Sequence, residues 1–408
     1  MEPARAIADL RELHRLTGGP GGARRVAWTD EWERARSFLY DRLDELPVAV
    51  ERDAAGNVWA TLDGDSDEIV AIGSHVDSVP SGGWLDGALG VFGALEALRS
   101  IAAGGRPPRT VALVDWADEE GARFGRSLLG SSAFAGTLDL EAAARLTDSD
   151  GIALPEAVSA HAVDFEAMAG AGEGRRGRLA AYLELHIEQG PVLEAEGLPC
   201  GAVLGTFGVE RWRAVFTGRA AHAGSTPMDR RADAGVVAAR AIVALQGVAR
   251  EHGGVGTAGR ADFAPGIVTA VPGRADVLVD QRHLDPGGLA AMRAGAERAF
   301  AEAAAAEGCE LAIEPVWSIE PVPFHAGLVD AAAEACAAAA GGTERRLPSG
   351  ALHDASELAR VCPATMVFSS SVGGVSHAPE EDTPEADLER ALAAYGELVR
   401  RVVAGGVP

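Results

Sequence analysis

The segment GSHVDSVPSGGWLDGALG, residues 73–90, places one histidine, two aspartates and five glycines between two apolar runs. DEIVAIGSH (67–75) is a short apolar run typical of a buried strand, and GALGVFGALEALRSI (87–101) has the periodicity of a helix. The next run, RTVALVDWADEEG (109–121), is apolar and β-branched and predicts a second strand. The order strand, helix, strand predicts a parallel pair of strands in an α/β fold.

Polar side chains that can bind a metal follow the predicted strands. Two further runs, AAYLELHIEQG (180–190) and ATMVFSSSVGGVSH (364–377), also have strand character. Ligands of open α/β sheets bind beyond the carboxyl ends of the strands, so residues at these four ends are expected to share one crevice. In chain order the residues at these ends are His75, Glu119 with Glu120, His186 and His377.

Imidazoles combined with carboxylates, without thiolates, suit a hydrolytic site for a divalent metal such as zinc or manganese. Asp77 is two residues from His75 and is placed to accept the second N–H of its ring. Asp86, just before the predicted helix, can bridge two ions about 3.5 to 4 Å apart. In DEEG (118–121), one carboxylate can bind metal while its neighbour moves a proton. Structural histidines and a solvated turn explain each piece alone, but explain the four strand ends together poorly.

Length and composition exclude or disfavour several classes of function. The chain has 408 residues, of which 47% are hydrophobic, and this length favours two domains. Its net charge of −24 disfavours nucleic acid and anionic membranes as partners. All of its basic residues other than histidine are arginines, which excludes Schiff-base chemistry on a lysine. Four widely spaced cysteines argue against a disulfide framework or a zinc ribbon.

The middle of the chain has a different pattern of apolar and polar residues from its two ends. Between 209 and 322, alternating strand-like runs are separated by two candidate helices. We therefore expect a smaller α+β domain at 209–322, inserted into a larger domain made of 1–208 and 323–408. The N-terminal segment predicts an amphipathic helix, and no run approaches the ~18 apolar residues of a membrane span. A cytoplasmic protein is expected.

Six segments resemble one known family in order and spacing. They are GSHVDSVPSGGWLDGALGV, DEEGARFG, LELHIEQGPVLE, AAHAGSTPMDRRADA, DQRHLD and SHAPEED. Together they resemble the hydantoinase/carbamoylase amidases of the dimetal M20 peptidase superfamily. That family includes N-carbamoyl-L-amino acid hydrolases, β-ureidopropionases and allantoate amidohydrolases. The resemblance extends over essentially the whole chain.

The resemblance implies a catalytic domain with a central, mostly parallel sheet and an inserted α+β dimerisation or lid domain. It implies two divalent ions, zinc or manganese, with cobalt or nickel as substitutes. Glu119 would be the general base, taking a proton from water and returning it to the leaving nitrogen. The implied metal ligands are His75 and His186 for one ion, Glu120 and His377 for the other, and Asp86 for both.

The same resemblance implies how a small ureido acid is recognised. His222 would stabilise the developing oxyanion, often across the interface of a homodimer, and Arg282 would hold the substrate carboxylate bidentately. Without the family match, a turn-capping imidazole and a surface ion pair would explain these two residues. Gln189 and His353 are further candidates for contact with substrate.

Two positions depart from the family pattern. Thr269, in TAVPG, stands where members usually have an asparagine that binds substrate, and Leu352 stands where many have glycine. Both changes leave the metal ligands intact and put the substrate in doubt, because the pocket loses the paired donor and acceptor of an amide. The expected reaction is hydrolysis of an N-carbamoyl-L-amino acid to amino acid, carbon dioxide and ammonia. Alternatives are an allantoate amidohydrolase and, more distantly, an M20-type peptidase, an aminoacylase or an inactive metal-binding homologue.

Overall fold

The computed structural model describes residues 1–406, which divide into two compact units. The first contains Met1–Gly205 and the chain from Phe324 onward, and the second is Thr206–Pro323. Each unit has its own hydrophobic core. Within the first unit, the backbone N–H of Phe324 donates to the carbonyl of Leu204 at 2.9 Å. The chain of the first unit is therefore continuous in space across the point where the second is inserted.

The secondary structure of residues 1–406 alternates between helices and strands. The helices are α1 (Pro3–Thr17), α2 (Asp30–Leu43), α3 (Ala88–Ala103), α4 (Leu129–Ala135), α5 (Leu140–Ala143), α6 (Leu154–Ala160), α7 (Val192–Glu196), α8 (Ala234–His252), α9 (Pro286–Ala306), α10 (Ala326–Ala339), α11 (Asp354–Leu358) and α12 (Glu385–Val403). The strands are β1 (Ala49–Arg52), β2 (Val58–Leu62), β3 (Ser66–His75), β4 (Arg109–Trp116), β5 (Leu179–Ile187), β6 (Cys200–Thr206), β7 (Gly208–Thr217), β8 (Ala221–His222), β9 (Val255–Ala264), β10 (Ala270–Val271), β11 (Arg274–His283), β12 (Glu310–Ile319), β13 (Val322–Pro323), β14 (Arg346–Ser349) and β15 (Ala364–Ser369).

The first unit is built on a large sheet with a parallel centre. Its strands run in the order β1-β2-β4-β3-β5-β15-β6, and β14 pairs with β6. The pairs β4-β3, β3-β5 and β5-β15 are parallel, so their carboxyl ends lie at one edge. The register places His75 opposite Trp116 and His186 opposite Phe368. The predicted α/β class is confirmed.

Helix α3 is buried on nearly every side, as its apolar sequence requires. It packs on β3 and β5 and against α1 and α12, and its residues from Ala88 to Arg99 are all buried. Gly87 at its N-terminus has φ 62°, a conformation that glycine adopts without strain. This turn brings Asp86, the residue before it, back to the end of β3.

The fourth strand of the parallel group is shorter than the sequence indicates. The run 364–377 predicts a strand, but β15 ends at Ser369. Gly373 and Gly374 have φ 61° and 65°, which a strand cannot accommodate. His377, with φ 57°, therefore lies on a loop after the strand.

The second unit is an antiparallel sheet, β12-β7-β11-β9, packed against α8 and α9. Alternate residues of β7 and β11, such as Trp212 and Val277, enter its core with apolar residues of both helices. On the opposite face, charged residues form ion pairs, for example between Arg274 and Asp276. The alternation seen in the sequence is that of a sheet with one covered face.

Two further expectations concern the chain as a whole. All four cysteines, Cys200, Cys309, Cys336 and Cys362, are free thiols, and three of them are buried. Among residues 1–406, none of the helices combines the length and the apolar character needed to cross a bilayer.

Candidate dimetal centre

Three side chains from different elements meet at the carboxyl edge of the parallel strands. His75 is the last residue of β3, His186 lies near the end of β5, and Asp86 precedes α3. Nε2 of His186 is 3.1 Å from Oδ1 of Asp86, and Nε2 of His75 is 3.8 Å from the same oxygen. All three residues are buried. Their potential ligand atoms lie within 4.8 Å of one another, as those of a metal site must.

The second oxygen of Asp86 belongs to another such group. Oδ2 of Asp86 lies 3.4 Å from Nε2 of His377, which is 3.4 Å from Oε2 of Glu120. These three residues also present ligand atoms within 4.8 Å. Asp86 is therefore shared by two groups of candidate ligands, one buried and one open to solvent at His377.

The two buried imidazoles are oriented for metal binding. Nδ1 of His75 lies 3.2 Å from the carbonyl oxygen of Asp77, and Nδ1 of His186 lies 3.0 Å from that of Ile187. A carbonyl only accepts hydrogen bonds, so a neutral ring carries its hydrogen on Nδ1 and turns the Nε2 lone pair toward Asp86. Nε2 of His186 is buried and has no hydrogen-bond donor in residues 1–406. A lone pair facing a carboxylate oxygen at this distance fits a divalent cation bound by both.

Asp77 positions the acidic pair that follows β4. Its carboxylate accepts the backbone N–H of Glu119 at 3.3 Å and that of Glu120 at 3.2 Å. Its Oδ1 is 3.5 Å from Nδ1 of His75, slightly farther than its own carbonyl oxygen. Asp77 thus connects the end of β3 to the loop after β4, in addition to its place beside the imidazole.

Glu119 is a buried carboxyl group at the centre of the site. Its Oε2 lies 3.6 Å from Nε2 of His75. Burial raises the pKa of Glu119 well above its usual value, and the positive charge of a protonated His75 opposes that rise. A cation at the neighbouring ligands would act in the same direction as His75 and favour the carboxylate, the form that accepts a proton.

The candidate ligands around Asp86 influence one another strongly. Burial acts to raise the pKa of Asp86, but its contacts with His186 and His377 lower it well below the usual range. The contact with Asp86 is also the main cause that raises the pKa of His377 to about 9. Burial, followed by the charge of Asp86, raises the pKa of Glu120 to about 7. Clusters of carboxyl and imidazole groups with shifted pKa values are typical of functional sites.

A pocket of ≈ 400 Å³ opens over these side chains. Its polar wall contains Glu119, Glu120 and His377, and Val79 and Leu352 contribute apolar surface. The pocket therefore offers carboxylates and imidazoles on one side and a hydrophobic wall on the other, as small-molecule sites commonly do.

Two predicted substrate contacts line the same pocket and already have partners. Nε2 of Gln189 donates to Oδ2 of Asp86 at 2.9 Å and lies 3.1 Å from Oγ of Ser376. The ring of His353 packs against that of His186 with centroids 4.5 Å apart and ring planes inclined by 59°, and its Nε2 is 2.9 Å from Oγ of Ser349. Burial, then the neighbouring His186, lowers the pKa of His353 well below its usual value. A neutral His353 can line the pocket without adding charge.

The remaining predicted residues belong to the second unit. His222 on β8 is exposed, and its Nδ1 accepts the N–H groups of Gly224 at 3.2 Å and Ser225 at 3.1 Å. Thr269 is its near neighbour, because the Thr269 carbonyl accepts the N–H of Ala223. His222 therefore caps a turn while its Nε2 remains directed away from that turn.

Arg282, on β11 of the second unit, forms an ion pair with Asp280. Its Nε donates to Oδ1 of Asp280 at 2.7 Å, and a second contact joins Nη2 to Oδ2 at 3.3 Å. The side chain of Arg282 is 31% exposed. The guanidinium group of Arg282 is therefore paired with Asp280 and is also partly exposed to solvent.

Sequence reasoning missed two buried acids near the ligands. Glu381, in SHAPEED, accepts hydrogen bonds from the backbone at Asp86. Glu184 accepts the hydroxyl of Ser74 at 2.7 Å and the N–H of Ala355 at 3.0 Å, next to His186 on β5. The signal was present in both motifs, as an acid spaced two or four residues from a histidine, but only the histidines were interpreted.

Comparison with known proteins extends over nearly the whole chain. The family model of peptidase family M20/M25/M40 matches residues 71–401. The chain is 36% identical to the N-carbamoyl-L-amino-acid amidohydrolase of Paenarthrobacter aurescens, over 97% of this chain and 96% of that protein. It is 32% identical to the allantoate amidohydrolase of Bacillus subtilis, over 94% and 93%.

The three-dimensional comparison agrees with the sequence comparison. A crystal structure of a hydantoinase/carbamoylase family amidase from Burkholderia multivorans matches with a TM-score of 0.88 and 35% identity, covering 99% of this chain and 98% of that one. Members of the M20 family are dimetal enzymes, and the two groups around Asp86 are candidate ligands of this kind. The chain therefore belongs to peptidase family M20/M25/M40, in which it is an amidohydrolase.

Proposed function

We propose that this amidohydrolase removes the carbamoyl group of an N-carbamoyl-L-amino acid and releases the amino acid, carbon dioxide and ammonia. The observation that carries the proposal is Asp86, shared by two groups of candidate ligands beside the buried Glu119. The name of the Paenarthrobacter aurescens relative supports this substrate class.

Each group of ligands would hold one divalent ion. His75 and His186 would hold the first, Glu120 and His377 the second, and Asp86 both. Zinc and manganese suit this mixture of nitrogen and oxygen donors, and cobalt or nickel can replace them. Such ions supply Lewis acidity and make water acidic enough to lose a proton near neutral pH.

Glu119 is the proposed general base. It takes a proton from the attacking water and delivers it to the nitrogen that leaves the ureido carbon. Asp77 supports this role, because it holds the backbone N–H groups of both Glu119 and Glu120. Burial excludes competing solvent from the carboxyl group, of which little is exposed.

Five residues are proposed to contact the substrate. Arg282 would bind the substrate carboxylate in place of, or together with, its contact to Asp280, since a guanidinium forms parallel bonds to one carboxylate. His222 would stabilise the oxyanion, and its Nδ1 contacts leave Nε2 as the donor. Gln189, Thr269 and His353 would complete the contacts to the substrate.

Allantoate is the second candidate substrate. The Bacillus subtilis relative is named as an allantoate amidohydrolase and matches over nearly the same length. Thr269 and Leu352, which depart from the pattern expected for the family, are both residues on which substrate choice would depend. Leu352 lines the pocket directly.

We also propose that the enzyme is a homodimer joined through its second unit. β9 is an edge strand of the antiparallel sheet, and Val255 and Phe263 on it are 48% and 45% exposed. In the loop after β9, Val268 is 97% exposed. An edge strand with apolar side chains is a surface that a second copy can cover.

An ammonia-release screen tests the proposed reaction. The substrates are N-carbamoyl L- and D-amino acids, N-carbamoyl-β-alanine and allantoate, each with manganese, cobalt and zinc. We expect turnover of an N-carbamoyl-L-amino acid above the rest. Turnover of allantoate alone would establish the second candidate, and no ammonia from any substrate with any metal would contradict both.

A further inference from the structure

Glu381 is a buried carboxylate that lies behind Asp86. It is four residues from His377, and only 1% of its surface is exposed. Its Oε1 accepts the backbone N–H of Asp86 at 3.0 Å and that of Leu85 at 3.2 Å. One oxygen of Glu381 therefore fixes the backbone that carries the shared ligand.

The other oxygen of Glu381 contacts the segment that carries His377. The hydroxyl of Ser376 lies 2.9 Å from Oε2 of Glu381 and 3.1 Å from Oδ2 of Asp86. A hydroxyl has a single hydrogen, so Ser376 donates to one carboxylate at a time and stays within reach of both. Glu381 therefore links the backbone of Asp86 to Ser376, the residue that precedes His377.

The loop before α3 is shaped around this carboxylate. A Cβ added to Gly83 would lie 2.0 Å from Oε1 of Glu381. A side chain at position 83 would therefore displace the carboxylate or the loop. The glycine permits the close approach that the two backbone hydrogen bonds require.

A buried cation accompanies Glu381. Arg25 is fully buried, its Nε donates to the carbonyl of Val76 at 2.7 Å, and Nη1 and Nη2 make no hydrogen bond within residues 1–406. Burial lowers the pKa of Arg25, and the charge of Glu381 is the foremost of the carboxylates that oppose this. Retaining a carboxylate at Glu381 thus reduces the cost of burying Arg25.

We propose that Glu381 is a positioning residue that sets the separation between Asp86 and His377 and thereby the affinity of the ligand group Asp86, Glu120 and His377 for its ion. The inference rests on the proposed dimetal function. Glu381 itself binds no ion in this scheme, because both of its oxygens are occupied by hydrogen bonds. The ligand group of His75 and His186 has other supports and depends on Glu381 only through Asp86.

Manganese binding to the full-length protein tests the role directly. Equilibrium dialysis with elemental analysis gives the number of ions and their affinities for the natural enzyme and for Glu381→Ala, Glu381→Gln and Ser376→Ala. Loss of a residue that orients a ligand typically costs 10–100-fold in metal affinity. We expect Glu381→Ala to weaken one of the two ions by about this factor, with the other ion nearly unchanged.

The isosteric variant separates positioning from general damage. Glu381→Gln keeps an oxygen that accepts the two backbone N–H groups, so it should retain more of the affinity than Glu381→Ala. Saturating manganese should restore kcat of Glu381→Ala toward the natural value with little change in KM. Glu380→Gln removes a charge from the adjacent, exposed residue and should change neither affinity.

Three results decide the inference. Equal affinities of Glu381→Ala and the natural enzyme for both ions would overturn it and leave the proposed function intact. If Glu381→Ala does not fold, Ser376→Ala is decisive, because weaker binding of one ion supports the inference and unchanged binding overturns it. A natural enzyme that binds no ion would contradict the dimetal function itself, and the inference with it.

Discussion

Glu119 and Glu120 are adjacent in sequence but differ in their contacts. Glu119 faces the buried His75, whereas Glu120 faces His377, which is half exposed. Both receive the same support from Asp77 through their backbone N–H groups. Substitution of either side chain therefore leaves these two backbone hydrogen bonds to Asp77 in place.

We expect Glu119→Gln to keep both ions and to lose several orders of magnitude in kcat, because it removes the proton acceptor. Glu120→Gln should instead lose occupancy of the ion shared with His377 before it loses the other. Metal content by elemental analysis and ammonia release measure the two effects. Equal metal content and equal rates in the two variants would contradict the assignment.

Arg282 is expected to bind the carboxylate of the substrate. Loss of a bidentate contact to a buried charge typically costs ~2 to 5 kcal/mol in kcat/KM. Arg282→Lys keeps the charge without the fork and should be intermediate, while Arg282→Ala should be worse. Steady-state kinetics on the ureido acid and on its amide measure the effect. A loss of equal size for the acid and the amide would show that Arg282 does not bind the carboxylate.

At the scale of elements, the turn at the start of α3 is tightly constrained by its neighbours. Gly87 has φ 62°, and a Cβ added there would lie 2.3 to 2.4 Å from three atoms of the His75 ring. The close approach of the turn to the end of β3 is what brings Asp86 next to His75.

Gly87→Ala should therefore destabilise the fold and weaken metal binding together. We expect a loss of ~1 to 3 kcal/mol in the free energy of unfolding, since an alanine must adopt a strained conformation and displace His75. Gly19→Ala is the control, because a Cβ there would meet no atom within 4 Å. Denaturant unfolding with and without manganese measures both variants. A Gly87→Ala protein as stable as the control would disprove the constraint.

Three of the four strands that lead to candidate ligands coincide with runs that the sequence predicts as strands. β3, β4 and β5 are continuous apolar segments followed by polar turns, so local pattern alone indicates where each strand lies. The end of β15 was misplaced because Ser, Val and Gly in the segment 369–375 resemble a strand, while Gly373 and Gly374 have left-handed backbone conformations.

Contacts between distant segments could not be predicted in this way. The hydrogen bonds of Glu381 to Leu85 and Asp86 join residues almost three hundred positions apart. Nothing in the spacing of SHAPEED indicates which backbone its second glutamate meets. Likewise, β2 pairs antiparallel with β4 at the side of the parallel group. This pairing joins separate segments of the chain, so the local sequence pattern does not indicate it.

For the molecule as a whole, assembly provides a direct test of the second unit. If β9 forms the interface, Phe263→Glu should shift the protein from dimer to monomer, because a charge at a buried interface is costly to desolvate. Val243→Glu, on α8 where the side chain is 72% exposed, is the matched control. Sedimentation velocity measures the mass, and ammonia release measures activity. A natural enzyme that is a fully active monomer would contradict the dimer and any role for His222 across it.

The hydrogen bond between Phe324 and Leu204 has a consequence for the history of the chain. Because the two chain segments that flank the second unit are already neighbours within the first, the inserted residues can be gained, exchanged or lost without a change in the order of strands in the large sheet. The inserted region can therefore vary as one block during evolution. Lineages could change the size and specificity of the inserted module, while the strand ends that hold His75 and His186 keep their register.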